Sequence, residues 1–382
     1  MPQNTAPSAS ASPSEAARTP AAPAALDLTA SSVEITRALC DIESVSGQET
    51  LLADLIEQAL TGYDHLEVIR DGDTIVARTS LGRAQRVVIA GHIDTVPLNN
   101  NLPTRTEVID GVDYLWGRGT VDMKAGVAVQ LKLAVELSDP TVDLTWMWYD
   151  NEEVDSSLNG LGRLARNRPD LFVGDFAILG EPSNSQVEGG CNGTLRVEVR
   201  AFGLRAHSAR AWMGDNAIHK IAPVLNILAA YTPREVEVEG LIYREGLNAV
   251  GISGGVAGNV IPDEAMVHVN YRFAPSRTAA EAIEHLRELF DGFEVTVIDE
   301  SEGARPGLDA PLALEFLAAV GAEPRPKYGW TDVARFSALG IPAVNYGPGD
   351  PSKAHADDER VAIAQIDECE RGLRTWLTAA TR

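Results

Sequence analysis

Several apolar segments of this chain are followed, within a few residues, by side chains that can bind a metal ion. These imidazoles and carboxylates are His92, Asp94, Asp122, Glu152, Glu153, Glu181 and His355. Imidazole and carboxylate groups without thiolates are typical of a catalytic zinc site rather than a structural one. They outnumber the ligands of one tetrahedral zinc, which favours two metal ions that share a bridging carboxylate. The sequence therefore indicates a pair of metals that polarises a carbonyl group and activates water.

The adjacent glutamates Glu152 and Glu153 would then have different tasks. One can bind metal, while its neighbour stays unbound and serves as general base for the water. Taken alone, the pair also fits a solvated charge run, because the chain has 55 acidic residues. Simple alternatives exist elsewhere too, since Asp122 could cap a helix, Glu181 could belong to a turn and His355 could lie on the surface. The joint pattern is more specific than any of its members.

The elements that must position these side chains alternate between strand and helix, which is typical of α/β proteins. Strands are predicted in the apolar runs 86–90, 143–149, 175–179 and 341–346, and a helix begins just after Asp122. The nearly continuous apolar character of these runs predicts strands that are buried on both faces. Open parallel sheets bind ligands beyond the carboxyl ends of their strands, so the candidate ligands should converge on one rim.

A middle segment has a different pattern. Residues 193–203 alternate between apolar and polar types, as a half-exposed strand does. A helix around 216–231, two strands, a helix over 278–290 and a last strand follow, which gives the order β-α-β-β-α-β of a small ferredoxin-like unit. We therefore predict that residues 188–300 form an inserted domain.

The larger domain would then consist of residues 27–187 and 301–382. Residues 1–26 are rich in Ala, Pro and Ser, and we predict that they form a disordered tail, because they have too few large side chains to bury. They lack the basic start and apolar stretch of a signal peptide, and no run approaches the length of a membrane helix. We therefore expect a soluble, cytoplasmic protein.

The charge balance restricts the partners. A net charge of −23 argues against nucleic acid and against an anionic membrane surface, because no basic surface is available. An anionic small-molecule substrate would need a local basic pocket. The three cysteines are far apart and odd in number, so neither a disulfide framework nor a thiolate zinc site is expected.

With these residues in place, the chain resembles the di-zinc family of aminoacylases, carboxypeptidases and succinyl-diaminopimelate desuccinylases. The resemblance covers nearly all of the chain beyond the tail, and the motifs that carry it are "GHIDTVP", "GRGTVDMKAG", "DNEEVDSS", "GEP", "AHSA", "NVIPDE" and "AHADDE". Within the family, the stretches "NNNLPTR", "WGRGTVDMKAG" and "LRAHSARAWMGDNAIHK" are most similar to the desuccinylases of Gram-positive actinobacteria. The resemblance implies a zinc-exopeptidase-like, mostly parallel sheet with helices on both faces, and an inserted lid and dimerisation domain.

The resemblance also implies roles for the candidate residues. His92 and Glu181 would bind one zinc, Glu153 and His355 would bind the other, and Asp122 would bridge the two. Glu152 would be the general base. Cobalt is expected to be able to replace zinc.

Two further residues would support the reaction. Asp94 would hydrogen-bond the far ring nitrogen of His92 and fix its tautomer. His207, in the "AHSA" motif, resembles a histidine that stabilises the tetrahedral oxyanion and that reaches across from the partner subunit in dimeric relatives. A homodimer through the inserted domain is therefore expected.

The substrate contacts implied by the resemblance are Asn259, Arg272, Thr331 and Arg335. Arginine suits such a position because its planar fork matches a carboxylate, although Arg272 could also be a solvated strand residue. The expected reaction is hydrolysis of N-succinyl-L,L-2,6-diaminopimelate to succinate and L,L-diaminopimelate, in lysine and diaminopimelate biosynthesis.

Two departures from the family pattern concern substrate recognition rather than metal binding. "GGCN" stands before Gly193 where the commoner bacterial desuccinylases have arginine, and "GWTDVARF" lacks the small residues often found before Thr-Asp. These departures leave open an aminoacylase-like or dipeptidase-like enzyme with a different acyl group. A catalytically inactive homologue that binds amino-acid derivatives would be expected to have lost a ligand or Glu152, and all are present. A structural interaction protein would not need these residues at strand ends.

Overall fold

The computed structural model describes residues 25–379. Within this range the strands are β1 (Glu67–Asp71), β2 (Thr74–Arg78), β3 (Arg86–His92), β4 (Arg105–Ile109), β5 (Val112–Trp116), β6 (Asp143–Tyr149), β7 (Phe176–Leu179), β8 (Glu188–Gly189), β9 (Gly193–Phe202), β10 (Ala206–His207), β11 (Glu235–Val238), β12 (Leu241–Arg244), β13 (Gly246–Gly254), β14 (Val260–Ile261), β15 (Glu264–Phe273), β16 (Glu294–Ser301), β17 (Arg325–Pro326), β18 (Ala343–Asn345) and β19 (Arg360–Ala362). The α-helices are α1 (Ser32–Cys40), α2 (Thr50–Leu60), α3 (Lys124–Glu136), α4 (Gly160–Asn167), α5 (Ala217–Lys220), α6 (Ala222–Ala230), α7 (Ala279–Leu289), α8 (Pro311–Val320), α9 (Val333–Ala338) and α10 (Ile363–Thr378). Short 3-10 turns occur at Pro169–Leu171, Ser208–Met213 and Pro351–Lys353.

The larger sheet has the strand order β1-β2-β6-β3-β7-β18-β8-β17. Its centre is parallel, because β3 pairs in parallel with β6 and β7, and β18 pairs in parallel with β7. Alternate residues of β3 belong to different apolar clusters, since Val87 and Ile89 join one and Val88 and Ala90 join the other. Helices α1, α3 and α10 pack in the first cluster, and α4 and α9 pack in the second. The predicted α/β fold with a mostly parallel sheet and helices on both faces is confirmed.

The second sheet is antiparallel and has the order β13-β15-β9-β16. Helices α5, α6 and α7 cover one of its faces, where alternate residues of β9 and β15 such as Val197, Val199 and Val267 are buried. This is the predicted β-α-β-β-α-β order, and the boundaries 188–300 stay a prediction. The helix predicted over 216–231 is interrupted at Ile221. Helix α6 begins at Ala222, and Pro223 in its first turn has no N–H to continue the hydrogen bonds of α5. The hairpin of β11 and β12 was not predicted.

One prediction concerned a disordered tail over residues 1–26. Residues 1–24 of the predicted disordered tail lie outside the described residues. Leu26, which was assigned to that tail, is instead buried in the first apolar cluster, so the tail assignment is wrong for this residue. Its apolar side chain has core residues to pack against. No helix within residues 25–379 is long and apolar enough to cross a membrane. All three cysteines are buried and free of disulfides.

Candidate metal centre and substrate cleft

The parallel centre of the larger sheet brings the candidate metal ligands together. His92 is the last residue of β3, Glu152 and Glu153 follow β6, and Glu181 follows β7. His355 follows β18 after a loop and has a positive φ of 62°, a backbone conformation that is uncommon outside glycine and is frequent at functional sites. These strands are neighbours and run in the same direction, so their carboxyl ends form one rim.

Asp122 lies between the other ligands, directly before α3. Its Oδ1 is 3.1 Å from His92 Nε2, and its Oδ2 is 3.3 Å from His355 Nε2. His355 Nε2 is also 2.9 Å from Glu153 Oε1. The two oxygens of Asp122 therefore point to different imidazoles, as a bridging carboxylate requires.

The potential ligand atoms form three groups, and within each group all atoms lie within 4.8 Å of one another. The groups are His92 with Asp122 and Glu181, Asp122 with Glu153 and His355, and His92 with Glu152 and Glu153. The first two groups are the ligand sets that the resemblance implies for the two zinc ions, and they share Asp122. The structure thus brings together every residue predicted to bind metal, together with Glu152.

The glutamates of this cluster have raised pKa values, whereas hydrogen bonds to the two imidazoles outweigh burial and lower the pKa of Asp122. Burial, and next the charge of Asp122, raise the pKa of Glu181 to about 8. Burial also raises the pKa of Glu152 well above its ordinary range, and the Glu181 carboxylate adds to this effect. Hydrogen bonds to Asp122 and Glu153 raise the pKa of His355 to about 10. A cluster of acidic side chains whose charges the chain itself stabilises poorly is typical of a site that binds cations.

Asp94 holds the glutamate pair in position. Its Oδ1 accepts a hydrogen bond from the backbone N–H of Glu152 at 3.0 Å, and its Oδ2 accepts one from Glu153 at 3.1 Å. Ser46 Oγ also donates to Oδ2 at 2.7 Å. His92 Nδ1 lies 3.0 Å from the main-chain oxygen of Asp94 and 3.4 Å from its carboxylate. Asp94 therefore orients both the histidine and the two glutamates, and the closer contact to the ring is through the backbone.

Glu359 ends the "AHADDE" motif and supports the site, a role that the motif alone did not indicate. It accepts hydrogen bonds from the backbone N–H groups of Val121, at 2.9 Å, and Asp122, at 3.2 Å. Its other oxygen pairs with Arg118 at 2.7 Å. Glu359 thus fixes the loop that carries the shared carboxylate.

A close backbone contact fixes the loop that carries Glu181. A Cβ atom added to Gly126 of α3 would lie 2.2 Å from the main-chain oxygen of Gly180. Only glycine lets the helix approach the end of β7 this closely.

Two cavities open beside the cluster. The first has a volume of 410 Å³ and is lined by Arg196, Arg272, Arg335 and Asp299, together with Glu152, Glu153 and His355. The second has a volume of 370 Å³ and is lined by Thr331, Lys327 and Glu188, together with Asp122, Glu181 and the same glutamate pair. The shared lining gives one cleft with two arms that meet at the metal ligands, which suits a substrate that extends to both sides of a scissile bond.

The predicted substrate residues are not all in this cleft. Arg272, Thr331 and Arg335 line it, whereas Asn259 and His207 line neither cavity. His207 and Asn259 are exposed and lie beside each other in the smaller domain, where the backbone N–H of Ser208 donates to the main-chain oxygen of Asn259 at 2.9 Å. Within one described chain, the structure does not bring His207 to the cluster. Sequence reasoning missed Arg196 and Asp299, because only strand register shows where they point.

Comparisons with known proteins agree with this architecture. A family model described as peptidase family M20/M25/M40 matches residues 88–382. The chain is 53% identical over 355 residues to a Mycobacterium tuberculosis protein provisionally named succinyl-diaminopimelate desuccinylase DapE, and the match covers 92% of this chain and 99% of the relative. It is 49% identical over 364 residues to succinyl-diaminopimelate desuccinylase of Corynebacterium glutamicum, over 92% of this chain and 98% of the relative.

A solved structure shares the fold. The dinuclear metal-binding M20 peptidase of Bacillus subtilis matches with a TM-score of 0.65 and 15% identity, over 91% of this chain and 96% of that chain. The resemblance stated from the sequence motifs is confirmed by the family model and by the two relatives. The chain therefore belongs to peptidase family M20/M25/M40.

Proposed function

We propose that this chain is a metal-dependent amide hydrolase that converts N-succinyl-L,L-2,6-diaminopimelate to succinate and L,L-diaminopimelate. The observation that carries the proposal is the pair of ligand groups that share Asp122, with Glu152 beside them. The names of relatives at 49% and 53% identity support the choice of substrate.

The donor set fits two zinc ions, because each ligand group has one imidazole, one carboxylate of its own and the shared Asp122. His92 and Glu181 would hold one ion, and Glu153 and His355 would hold the other. When bound, such a pair supplies Lewis-acid activation of the amide carbonyl and of water. We expect cobalt to be able to replace zinc at the same ligands.

Glu152 is the proposed general base. Its carboxylate would take a proton from water and later deliver it to the leaving amine. Burial raises the pKa of Glu152, which brings it closer to the value that suits a base and acid near neutral pH. Asp94 holds the backbone of Glu152, and thereby limits where this carboxylate can move.

A homodimer through the smaller domain would complete the site. The exposed fraction is 80% for Trp212, 59% for Met213 and 58% for Ile252, which are large apolar side chains of that domain. Trp212 and Met213 are consecutive residues, and neighbouring exposed apolar side chains are typical of a protein interface. We propose that a second copy covers this surface and that His207 enters the partner's cleft to stabilise the developing oxyanion.

The test is a substrate panel on zinc-loaded protein. We expect kcat/KM for the succinyl substrate to exceed that for N-acetyl-L-amino acids by at least ~10³-fold, because a site with arginines paired to carboxylates rejects an analogue that lacks one. Equal or faster cleavage of N-acetyl-L-amino acids would favour the aminoacylase-like alternative and leave the metal site unchanged. Loss of zinc by chelation should abolish both activities.

A further inference from the structure

One face of the smaller sheet is polar and forms a wall of the 410 Å³ cavity. Its side chains come from three adjacent strands in two rows: Arg272, Thr194 and Ser301 form one row, and Asn270, Arg196 and Asp299 form the other. We call these six residues the lid face. The same cavity is lined by Glu152 and His355, so the lid face lies across the cleft from the metal ligands.

Asp299 belongs to the lid face because of a β-bulge in β16. Val297 pairs with Val197 on the core side of the sheet, and the next paired residue is Asp299, opposite Arg196. Ile298 is skipped by the register and is 55% exposed. Strict alternation would have placed Ile298 opposite Arg196 and turned Asp299 to the core side. Bulges commonly redirect a side chain next to an active site, and this one brings a carboxylate into the cleft.

The charges of the lid face are only partly paired. Arg196 donates from Nε and Nη2 to a single oxygen of Asp299, Oδ2, at 3.1 and 2.8 Å. Asp299 Oδ1 receives no hydrogen bond from residues 25–379. Arg272 forms no ion pair with any residue of that range, and burial, followed by the charge of Arg196, lowers the pKa of Arg272. The face thus offers a carboxylate oxygen without a donor and, on the other outer strand of the three, a guanidinium group without an ion-pair partner among residues 25–379.

We propose that Asp299, Arg196 and Arg272 bind the remote amino-acid end of the substrate, with Asp299 accepting from its ammonium group and the arginines binding its carboxylate. This inference rests on the proposed function, because the distal end of N-succinyl-L,L-2,6-diaminopimelate carries both groups. A site for a carboxylate alone would gain nothing from Asp299, since like charges repel. A purely structural ion pair would need neither a bulge into the cleft nor an unpaired arginine beside it.

The experiment compares two substrates that differ at one group. N-succinyl-L-2-aminopimelate is the proposed substrate with hydrogen in place of the distal amino group. The wild type should prefer the full substrate by at least ~30-fold in kcat/KM, the scale of a hydrogen bond to a charged group. Asp299→Asn should lose about that factor on the full substrate, mainly through KM, and should change far less on the analogue, which has no ammonium group to lose.

Asp263→Asn is the matched control. Arg205 donates from Nε and Nη2 to one oxygen of Asp263, at 3.0 and 2.8 Å, but neither residue lines the cleft. This variant should keep the wild-type preference. An equal loss on both substrates in Asp299→Asn would overturn the inference and give the residue a structural role. Equal cleavage of both substrates by the wild type would also overturn the inference. This second test does not depend on whether the variant folds. A wild type that cleaves neither substrate would overturn the proposed function itself.

Discussion

The acidic residues at the two ends of strand β6 have pKa values that are shifted in opposite directions. Asp143 begins the strand, and Glu152 follows its carboxyl end by three residues. Burial acts to raise the pKa of Asp143, but hydrogen bonds from the backbone N–H groups of Leu81 and Arg83 outweigh it and lower this pKa. At the other end, burial raises the pKa of Glu152, and its carboxylate accepts no hydrogen bond from residues 25–379.

The difference shows which carboxylate the protein alone can stabilise. Asp143 has donors from the chain, so its negative charge contributes to stability without any other component. Glu152 lines the same cavity as Glu153, Glu181 and Asp122, and its carboxylate has no donor among residues 25–379, so bound cations would stabilise its charge. An acid at least partly buried that the fold leaves without donors is therefore a better indicator of chemistry than burial alone.

The largest effect is expected from Glu152→Gln. We expect turnover to fall roughly 10²- to 10⁴-fold, the scale of a lost general base, while the zinc content stays the same. In the metal-free protein, the raised pKa means that the stability contributed by this group is present below pH 4.5 and is lost as pH rises. The glutamine variant should thus be at least as stable as the wild type at pH 7 when zinc is absent. Turnover, zinc content and urea unfolding after chelation are the measurements.

Glu153→Gln is the matched comparison for that variant, because it is the adjacent residue with the same change. Its Oε1 contacts His355 at 2.9 Å, so this variant should lose zinc affinity as well as turnover. Near-normal turnover in Glu152→Gln would return the pair to a solvated charge run. Equal zinc loss in both variants would instead mean that both glutamates bind metal.

A smaller effect is expected from His207→Ala, which tests whether the cleft is complete within one chain. If His207 supplies an oxyanion donor from a partner subunit, turnover should fall by about 10²- to 10³-fold. Mixing this variant with Glu152→Gln should restore part of the activity, because one site of the mixed dimer has both residues intact. No recovery in a verified mixed dimer would mean that His207 acts in its own chain or has no catalytic role.

The metal side of the cleft could be predicted because each ligand follows a recognisable buried strand or precedes a helix. Parallel strands end at one edge, so the positions of His92, Glu152, Glu181 and His355 along the chain were enough to bring them together. The α/β fold followed from the same apolar runs. The bridging geometry of Asp122 needed the family resemblance, since its place before α3 also fits a helix cap.

The lid side could not be predicted in the same way. Which residues of the smaller sheet face the cleft depends on strand register, and the bulge at Ile298 reverses the alternation that β16 would otherwise have. The sequence alone therefore does not indicate that Arg196 and Asp299 form an ion pair. Asn259 and His207 lie outside the cleft of their own chain, and no local pattern indicates where a second subunit would place them. The break at Ile221 follows from Pro223, and a proline within a helical pattern is a signal of such a break.

The smallest effect on activity, and a measurable one on stability, is expected from Asp143→Asn. The carboxylate accepts from Leu81 N at 2.7 Å, Arg83 N at 2.9 Å and Thr79 Oγ1 at 3.1 Å, and it lies 3.7 Å from Arg86. The asparagine oxygen can replace only one of the two carboxylate oxygens, so at least one donor loses its acceptor and the free energy of unfolding should fall by about 1–3 kcal/mol at pH 7. Because the folded pKa is below the ordinary 3.8, this stabilisation is present above that pH and is lost as the pH falls through the folded value. Urea unfolding of both proteins from pH 7 downwards should therefore show a difference that shrinks below about pH 4. A difference that is constant with pH would mean that the charge contributes nothing, and a loss of turnover in the folded variant would mean that the two ends of β6 are not independent.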